Sequence, residues 1–325
     1  MKSVYCIFLS MLALVSCTQN TPPPLDSWVD NELRKSIVKF VEVDAQLIPV
    51  EDRIAVFDLD GTLACETPLW FEMYVAVAGL NEKSLQDSSL LQYPEYKYAK
   101  LLAANPFDTT VLSHWGTLID SMVLKAFEGT NNEVYVEYSN SYLNSTTDPK
   151  FGKPLAKLFY KPMLELLEYL TDNKFSIYVV SGSSQGLLWS ICPDVIGLER
   201  NRLIGTRTAM YPNFNAKGGT AFELKKGIFP PKNDGFNKAL NIYSYIGKTP
   251  VFAFGNTTGD FGMFHLASTN KYPNMSLMLN HDDSDREYAY PPYHGPEVKG
   301  WLDSLNNNGW HLVSMTDNFS KVWID

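Results

Sequence analysis

The chain reads as an α/β protein on a doubly wound parallel sheet, with a mainly helical segment inserted after its first strand. Short, largely apolar runs at 54–57, 175–180 and 251–254 have the length and composition of strands buried within a parallel sheet. Each run stops at small or polar residues: Asp58-Leu59-Asp60-Gly61, Ser181-Gly182-Ser183-Ser184 and Gly255-Asn256-Thr257-Thr258. Amphipathic helical patterns precede all three runs, whereas residues 64–160 hold helical patterns and no second strand of this kind. The 325 residues suffice for one large domain, or for a core domain carrying a smaller insertion.

A hydrophobic fraction of 45% supports a packed core, and the net charge of −9 excludes nucleic acid as an expected partner. Residues 1–17 begin with a basic Lys2 and continue as an apolar run too short to span a membrane comfortably. The run ends in Leu14-Val15-Ser16-Cys17, which resembles the bacterial lipoprotein signal. That resemblance implies lipidation of Cys17 and a chain anchored in the bacterial cell envelope, periplasm-facing in a Gram-negative cell. Residues 18–27, with three consecutive prolines, read as an extended tether. Cys65 and Cys192 remain; they are read as free buried thiols, with a disulfide as the alternative in an oxidising compartment.

Trp28, Leu33, Ile37, Phe40 and Val41 have the spacing of an amphipathic helix laid on the core. The strand at 53–58 then delivers Asp58 and Asp60 where open α/β sheets place ligands, beyond the carboxyl ends of their strands. A turn at Gly61 lets the two carboxylates diverge, one facing a substrate and the other beside it as a proton carrier. The alternative is a plain Asp-Gly turn after a strand. Segments 68–79, 94–104 and 108–127 look helical and rich in aromatics, which are either core or the lining of a cation pocket. The stretch 133–160 is ambiguous.

A helix starts at Pro162 and leads into the strand ending at Ser181-Gly182. A hydroxyl and main-chain N–H groups at the following helix start suit a phosphate, although a simple helix cap has the same composition. Asp194-Val195-Ile196-Gly197 reads as a short strand, and 206–210 with 222–226 as an antiparallel extension. The helix from Asp234 carries Lys238, and the strand at 251–254 ends in Gly255-Asn256-Thr257-Thr258-Gly259-Asp260. A helix at 263–267, a strand at 275–279, a helix at 301–305 and an edge strand at 310–315 complete the core. Between them, His281-Asp282-Asp283-Ser284-Asp285-Arg286-Glu287 is either a solvated acidic loop or a metal-binding cluster.

Four of these stretches, in this order, resemble the motifs of the haloacid dehalogenase superfamily: D-x-D-G-T after a strand, a Ser ending the second, a Lys one helix before the last, and Gly followed by two acids. The helical insertion resembles the cap of the phosphoserine-phosphatase-like branch, and the loop after the strand at 275–279 resembles that of bacterial phosphorylcholine phosphatases. The resemblance implies a core of residues 28–63 and 161–325 with a helical cap at 64–160. It implies Asp58 as nucleophile, Asp60 as general acid and base, Ser181, Gly182 and Lys238 as phosphate contacts, and Glu66 as a leaving-group contact. Mg²⁺ would be held by Asp58, Asp60 through its main-chain carbonyl, Asn256, and Asp260 directly or through water. Asn256 departs from the pattern, which has an acid there. The implied activity is hydrolysis of a small phosphomonoester through an aspartyl phosphate; a phosphotransferase of the same superfamily and a non-enzymatic ligand-binding lipoprotein are the alternatives.

Overall fold

The computed structural model describes residues 25–108, 111, 117–214, 220–293 and 297–324. Cys17 and the tether up to residue 24 therefore lie outside the described residues. Helix α1 (Glu32–Glu42) is capped by the Asn31 side chain and buries Ile37, Phe40 and Val41. It begins after Trp28, whose indole N–H instead donates to the Pro162 carbonyl at 2.9 Å. Strand β1 (Ile54–Phe57) is buried along its whole length. Alternation divides its side chains between two cores, with Ala55 and Phe57 in the larger and Ile54 and Val56 in the smaller.

Among the described residues, the helices α2 (Phe71–Gln86), α3 (Pro94–Ala104), α4 (Thr117–Ala126) and α5 (Asn132–Ser145) follow before the second strand's own helix. The chain leaves and re-enters the core side by side. Cys65 N donates to Leu158 O and Tyr160 N to Leu63 O, each at 2.9 Å. Lys125 Nζ stands 4.7 Å from the Tyr93 ring centroid and 5.4 Å from that of Tyr96, so these two aromatics already face an internal cation.

Helix α6 (Lys161–Asp172) buries Met163, Leu166, Leu167 and Leu170 and returns the chain to β2 (Ser176–Ser184). Next comes α7 (Gln185–Ile196), which absorbs the expected strand at 194–197. Val195 and Ile196 are β-branched, but they pack against the core as the last turn of a helix ended by Gly197 at φ +69°. The strand beside β2 is β3 (Leu203–Thr206). Strands β4 (Thr208–Phe214) and β5 (Thr220–Ile228) form the expected antiparallel hairpin, which bonds the insertion through Gly129 N to Leu224 O and Leu224 N to Thr130 O.

The chain closes with α8 (Asn237–Ile246), β6 (Phe252–Gly255), α9 (Phe261–Ser268), β7 (Met275–Asn280), α10 (Trp301–Asn307), β8 (His311–Ser314) and α11 (Met315–Asn318). The main sheet is parallel throughout, in the order β3-β2-β1-β6-β7-β8. Strand order reverses between β1 and β6, and the crevice at such a switch point is where these sheets bind ligands. Among the described residues, no helix is long and apolar enough to cross a membrane.

Candidate active site

The ends of β1, β2 and β6 bring the sequence-predicted residues together. Asp58 follows β1 directly and its N–H donates to Phe254 O at 3.0 Å, which fixes the two strand ends against each other. Lys238 is buried near the start of α8 and donates to Asp58 Oδ1 and Asp260 Oδ1, both at 2.7 Å. Burial works against the Lys238 charge, yet Asp260 and Asp58 outweigh it and hold its pKa above the usual lysine range. Burial also pushes Asp58 well up, against the pull of Lys238 and with Asp260 and Asp60 adding to the rise. One ammonium here serves more carboxylates than it can neutralise.

Asp60 Oδ2 accepts from Ser183 Oγ at 2.7 Å and from Ser181 Oγ at 3.2 Å. Its other oxygen, Oδ1, is buried without a hydrogen-bond partner. Burial raises this carboxyl to about 6 despite the Ser183 bond, and Glu66 adds to the rise. A group with that pKa and a spare oxygen is suited to give and take a proton near neutral pH. Ser183 had no signal of its own in the sequence, because Ser-Gly-Ser-Ser reads equally as a helix cap. Asn233 was also illegible; its side-chain amide donates to Ser181 O at 2.9 Å and Ile204 O at 2.8 Å, holding the end of β2 in place. Gly182 O accepts from Thr206 Oγ1 at 2.7 Å.

Glu66 and Asn256 meet. Asn256 Nδ2 donates to Glu66 Oε1 at 2.7 Å, so the carboxylate expected at a leaving group is engaged beside the Gly61 turn. Gly61 stands at φ +71°, and a Cβ there would lie 1.9 Å from Asn256 Nδ2; only glycine fits. Because a carboxylate accepts, the Asn256 amide is oriented and its Oδ1 is left with one long contact, Thr62 Oγ1 at 3.4 Å. Asp260 Oδ2 accepts from Asn256 N and Thr257 N, at 2.9 and 3.1 Å, while its Oδ1 accepts from Lys238. Both Asp260 oxygens are thereby committed, which favours the orienting role over direct ligation.

No cluster of three or more His, Cys, Asp or Glu side chains arranged to hold a metal occurs among the described residues. The oxygen set that remains is Asp58, a main-chain carbonyl and the Asn256 amide oxygen. All are hard donors, and with the buried excess of negative charge they fit Mg²⁺ better than a softer ion.

Sequence reasoning missed a further buried carboxylate, near enough to Asp60 for the two charges to interact. Glu72, in the first turn of α2, is buried and accepts from Ser184 N at 3.0 Å. Burial raises it to about 7, partly offset by its Ser184 bonds and reinforced by Asp60. An acid at a helix start is too common for its sequence to reveal this. Its folded pKa exceeds the usual 4.5, so its stabilising effect is complete below pH 4.5 and is lost as pH rises through about 7. Relative to wild type, Glu72→Gln should therefore gain about 3 kcal/mol of unfolding free energy between pH 4.5 and pH 8. Urea melts of both proteins across this range check it; parallel curves would refute the shift.

A cleft of about 290 Å³ is lined by Glu95, Asp120, Ser121, Lys125 and Lys226 and reaches none of these groups. Asp58, Ser181, Lys238, Asn256 and Asp260 are all buried, so the arrangement is closed.

The sequence of residues 55–265 matches the model of the haloacid dehalogenase-like hydrolases. The chain belongs to this family. Among solved structures, a conserved functionally unknown protein from Anaerococcus prevotii DSM 20548 is similar at 14% identity, over 85% of this chain and 88% of that one, with a TM-score of 0.52. A protein with unknown function from Bordetella pertussis Tohama I has 11% identity over 80% of this chain and 97% of that one, TM-score 0.49. A phosphoserine phosphohydrolase-like protein from Francisella tularensis subsp. tularensis SCHU S4 has 13% identity over 80% and 94%, TM-score 0.40. The first of these likenesses shows a shared fold alone. No curated protein matches the chain significantly.

Proposed function

We propose that this haloacid dehalogenase-like hydrolase is a Mg²⁺-dependent phosphatase acting on a small phosphomonoester. The observation that carries the reading is the pairing of Asp58 on Lys238 with Asp60 held by two serines, its second oxygen unpartnered. Asp58 attacks phosphorus as the bond to the leaving oxygen breaks, and Asp60 gives that oxygen its proton. Asp60 then takes a proton from the water that attacks phosphorus, which breaks the bond to Asp58 and frees phosphate. Lys238 and Ser181 balance charge on the phosphoryl oxygens. When bound, Mg²⁺ would supply further positive charge there; Asp58, the Asp60 carbonyl and Asn256 would hold it. A dehalogenase is disfavoured, because displacement at carbon needs neither a proton carrier at Asp60 nor a metal.

Residues 64–160 would act as the cap that closes over the site and excludes water from the aspartyl phosphate. Glu66, oriented by the Asn256 amide on Oε1, is kept as the leaving-group contact in this reading. The test is a panel of small phosphomonoesters, including a choline ester and phosphoserine, assayed with and without Mg²⁺. Phosphate release that needs Mg²⁺ is expected; release from none of the panel would favour a ligand-binding protein. Calorimetry should show weaker Mg²⁺ binding to Asn256→Ala than to wild type, and equal binding would remove Asn256 from the ligand set. Envelope anchoring through Cys17 is a separate proposal, and labelled fatty acid entering Cys17→Ser as well as wild type would end it.

A further inference from the structure

The loop after β7 is solvated only in part: Asp282, Ser284 and Asp285 are exposed, whereas His281, Asp283 and Glu287 are buried, Glu287 completely. Glu287 Oε1 accepts from Cys65 Sγ at 3.1 Å and Tyr160 OH at 3.2 Å, and Oε2 meets His281 Nδ1 at 3.0 Å. On the other side of the ring, His281 Nε2 lies 2.7 Å from Gly61 O; a carbonyl only accepts, so Nε2–H is the donor. The imidazole is further held by stacking on Tyr290, with centroids 4.2 Å apart. Burial, followed by the Glu287 charge, raises both the Cys65 thiol and the Tyr160 phenol, so both keep the protons they donate.

These partners come from separate places with one thing in common. Cys65 lies on the linker that leaves the core for the insertion and Tyr160 on the linker that returns, the two being bonded to each other. Gly61 belongs to the turn carrying Asp58 and Asp60. Lys150, just before the return linker, also donates to the main chain of the loop, at Ser284 O (2.7 Å) and Glu287 O. An apolar residue would fill the Glu287 position without the desolvation cost of a carboxylate. The charge is matched instead by donors from three segments.

We propose that Glu287 and His281 are positioning residues that lock the Asp58–Gly61 turn to the neck of the insertion. The turn then reaches its working geometry only while both linkers are seated. Glu287 gathers the linkers and His281 transmits their position to the Gly61 carbonyl. The effect on rate rests on the phosphatase reading, whereas the mechanical coupling does not.

Hydrogen exchange of the full chain, read by mass spectrometry, tests the coupling. In Glu287→Gln and His281→Gln, peptides over 58–66 and 157–161 should exchange about tenfold faster together, with those over 175–180 and 252–255 unchanged. On an active phosphomonoester the same variants should lose kcat by 10- to 100-fold (about 1.4 to 2.8 kcal/mol) with KM little altered. If Glu287→Gln does not fold, Tyr160→Phe removes one donor and should still speed exchange over 58–66. Faster exchange confined to 281–290, equal acceleration everywhere, or full kcat in a folded variant would overturn the proposal. Should wild type hydrolyse nothing, the phosphatase reading fails and the exchange measurements alone decide the coupling.

Discussion

Asp58→Asn is expected to lower kcat by about four orders of magnitude or more, because an amide oxygen at the end of β1 cannot form the aspartyl phosphate. The same change should leave the fold intact. Asp58 is buried beside Asp260 and Asp60 and shares one ammonium with Asp260, so removing its charge relieves repulsion while Lys238 keeps its 2.7 Å bond to Asp260. Thermal unfolding of the variant should therefore occur at or above the wild-type temperature. The two measurements, phosphate release and melting, separate loss of a nucleophile from loss of structure. A folded Asp58→Asn protein retaining a tenth of the wild-type rate would show that the reaction does not pass through this residue.

Lys238→Met should act on both quantities. Met approximates the volume of the lysine stem but leaves Asp58 and Asp260 facing each other in the interior without their cation. Breaking a buried ion pair by removing one partner costs about 3 to 5 kcal/mol, since the remaining charge stays buried. The loss should be smaller at acid pH, where the orphaned carboxylates are relieved by taking up a proton, and larger above neutrality. Turnover should fall with it, because the incoming phosphate then meets uncompensated anions. Urea unfolding at pH 5 and pH 8 checks the stability half. A loss below 1 kcal/mol at pH 8 would show that the ammonium is not what holds the two acids together.

Much of this arrangement was visible in the chain because the relevant signals are local. An apolar strand ending in Asp-x-Asp-Gly, or a strand ending in Ser-Gly, carries its meaning within a few residues, and the alternation that buries β1 on both faces is equally local. The 194–197 segment misled for the same reason: Val195 and Ile196 favour strands by propensity, while packing against the core kept them helical. What stayed hidden depends on contacts between segments distant in sequence. Ser183 reaches Asp60 across 123 positions, Asn256 meets Glu66 across 190, and His281 meets Gly61 across 220. No spacing rule encodes these distances. The His281–Glu287 loop looked like a solvated acidic run, which holds for Asp282 and Asp285, while Glu287 is buried on partners that only the fold supplies.

The side-by-side exit and return of the chain at Ala64 and Phe159, which form a bridge, has an evolutionary reading. The insertion departs from one spot on the sheet and comes back to the same spot, and is tied to the core beyond that neck at Ser184 and Leu224. Segments whose ends lie close together are the ones that can be exchanged whole or grafted between proteins. A segment grafted between the two linkers would have to preserve the Cys65 and Tyr160 contacts to Glu287 at its base.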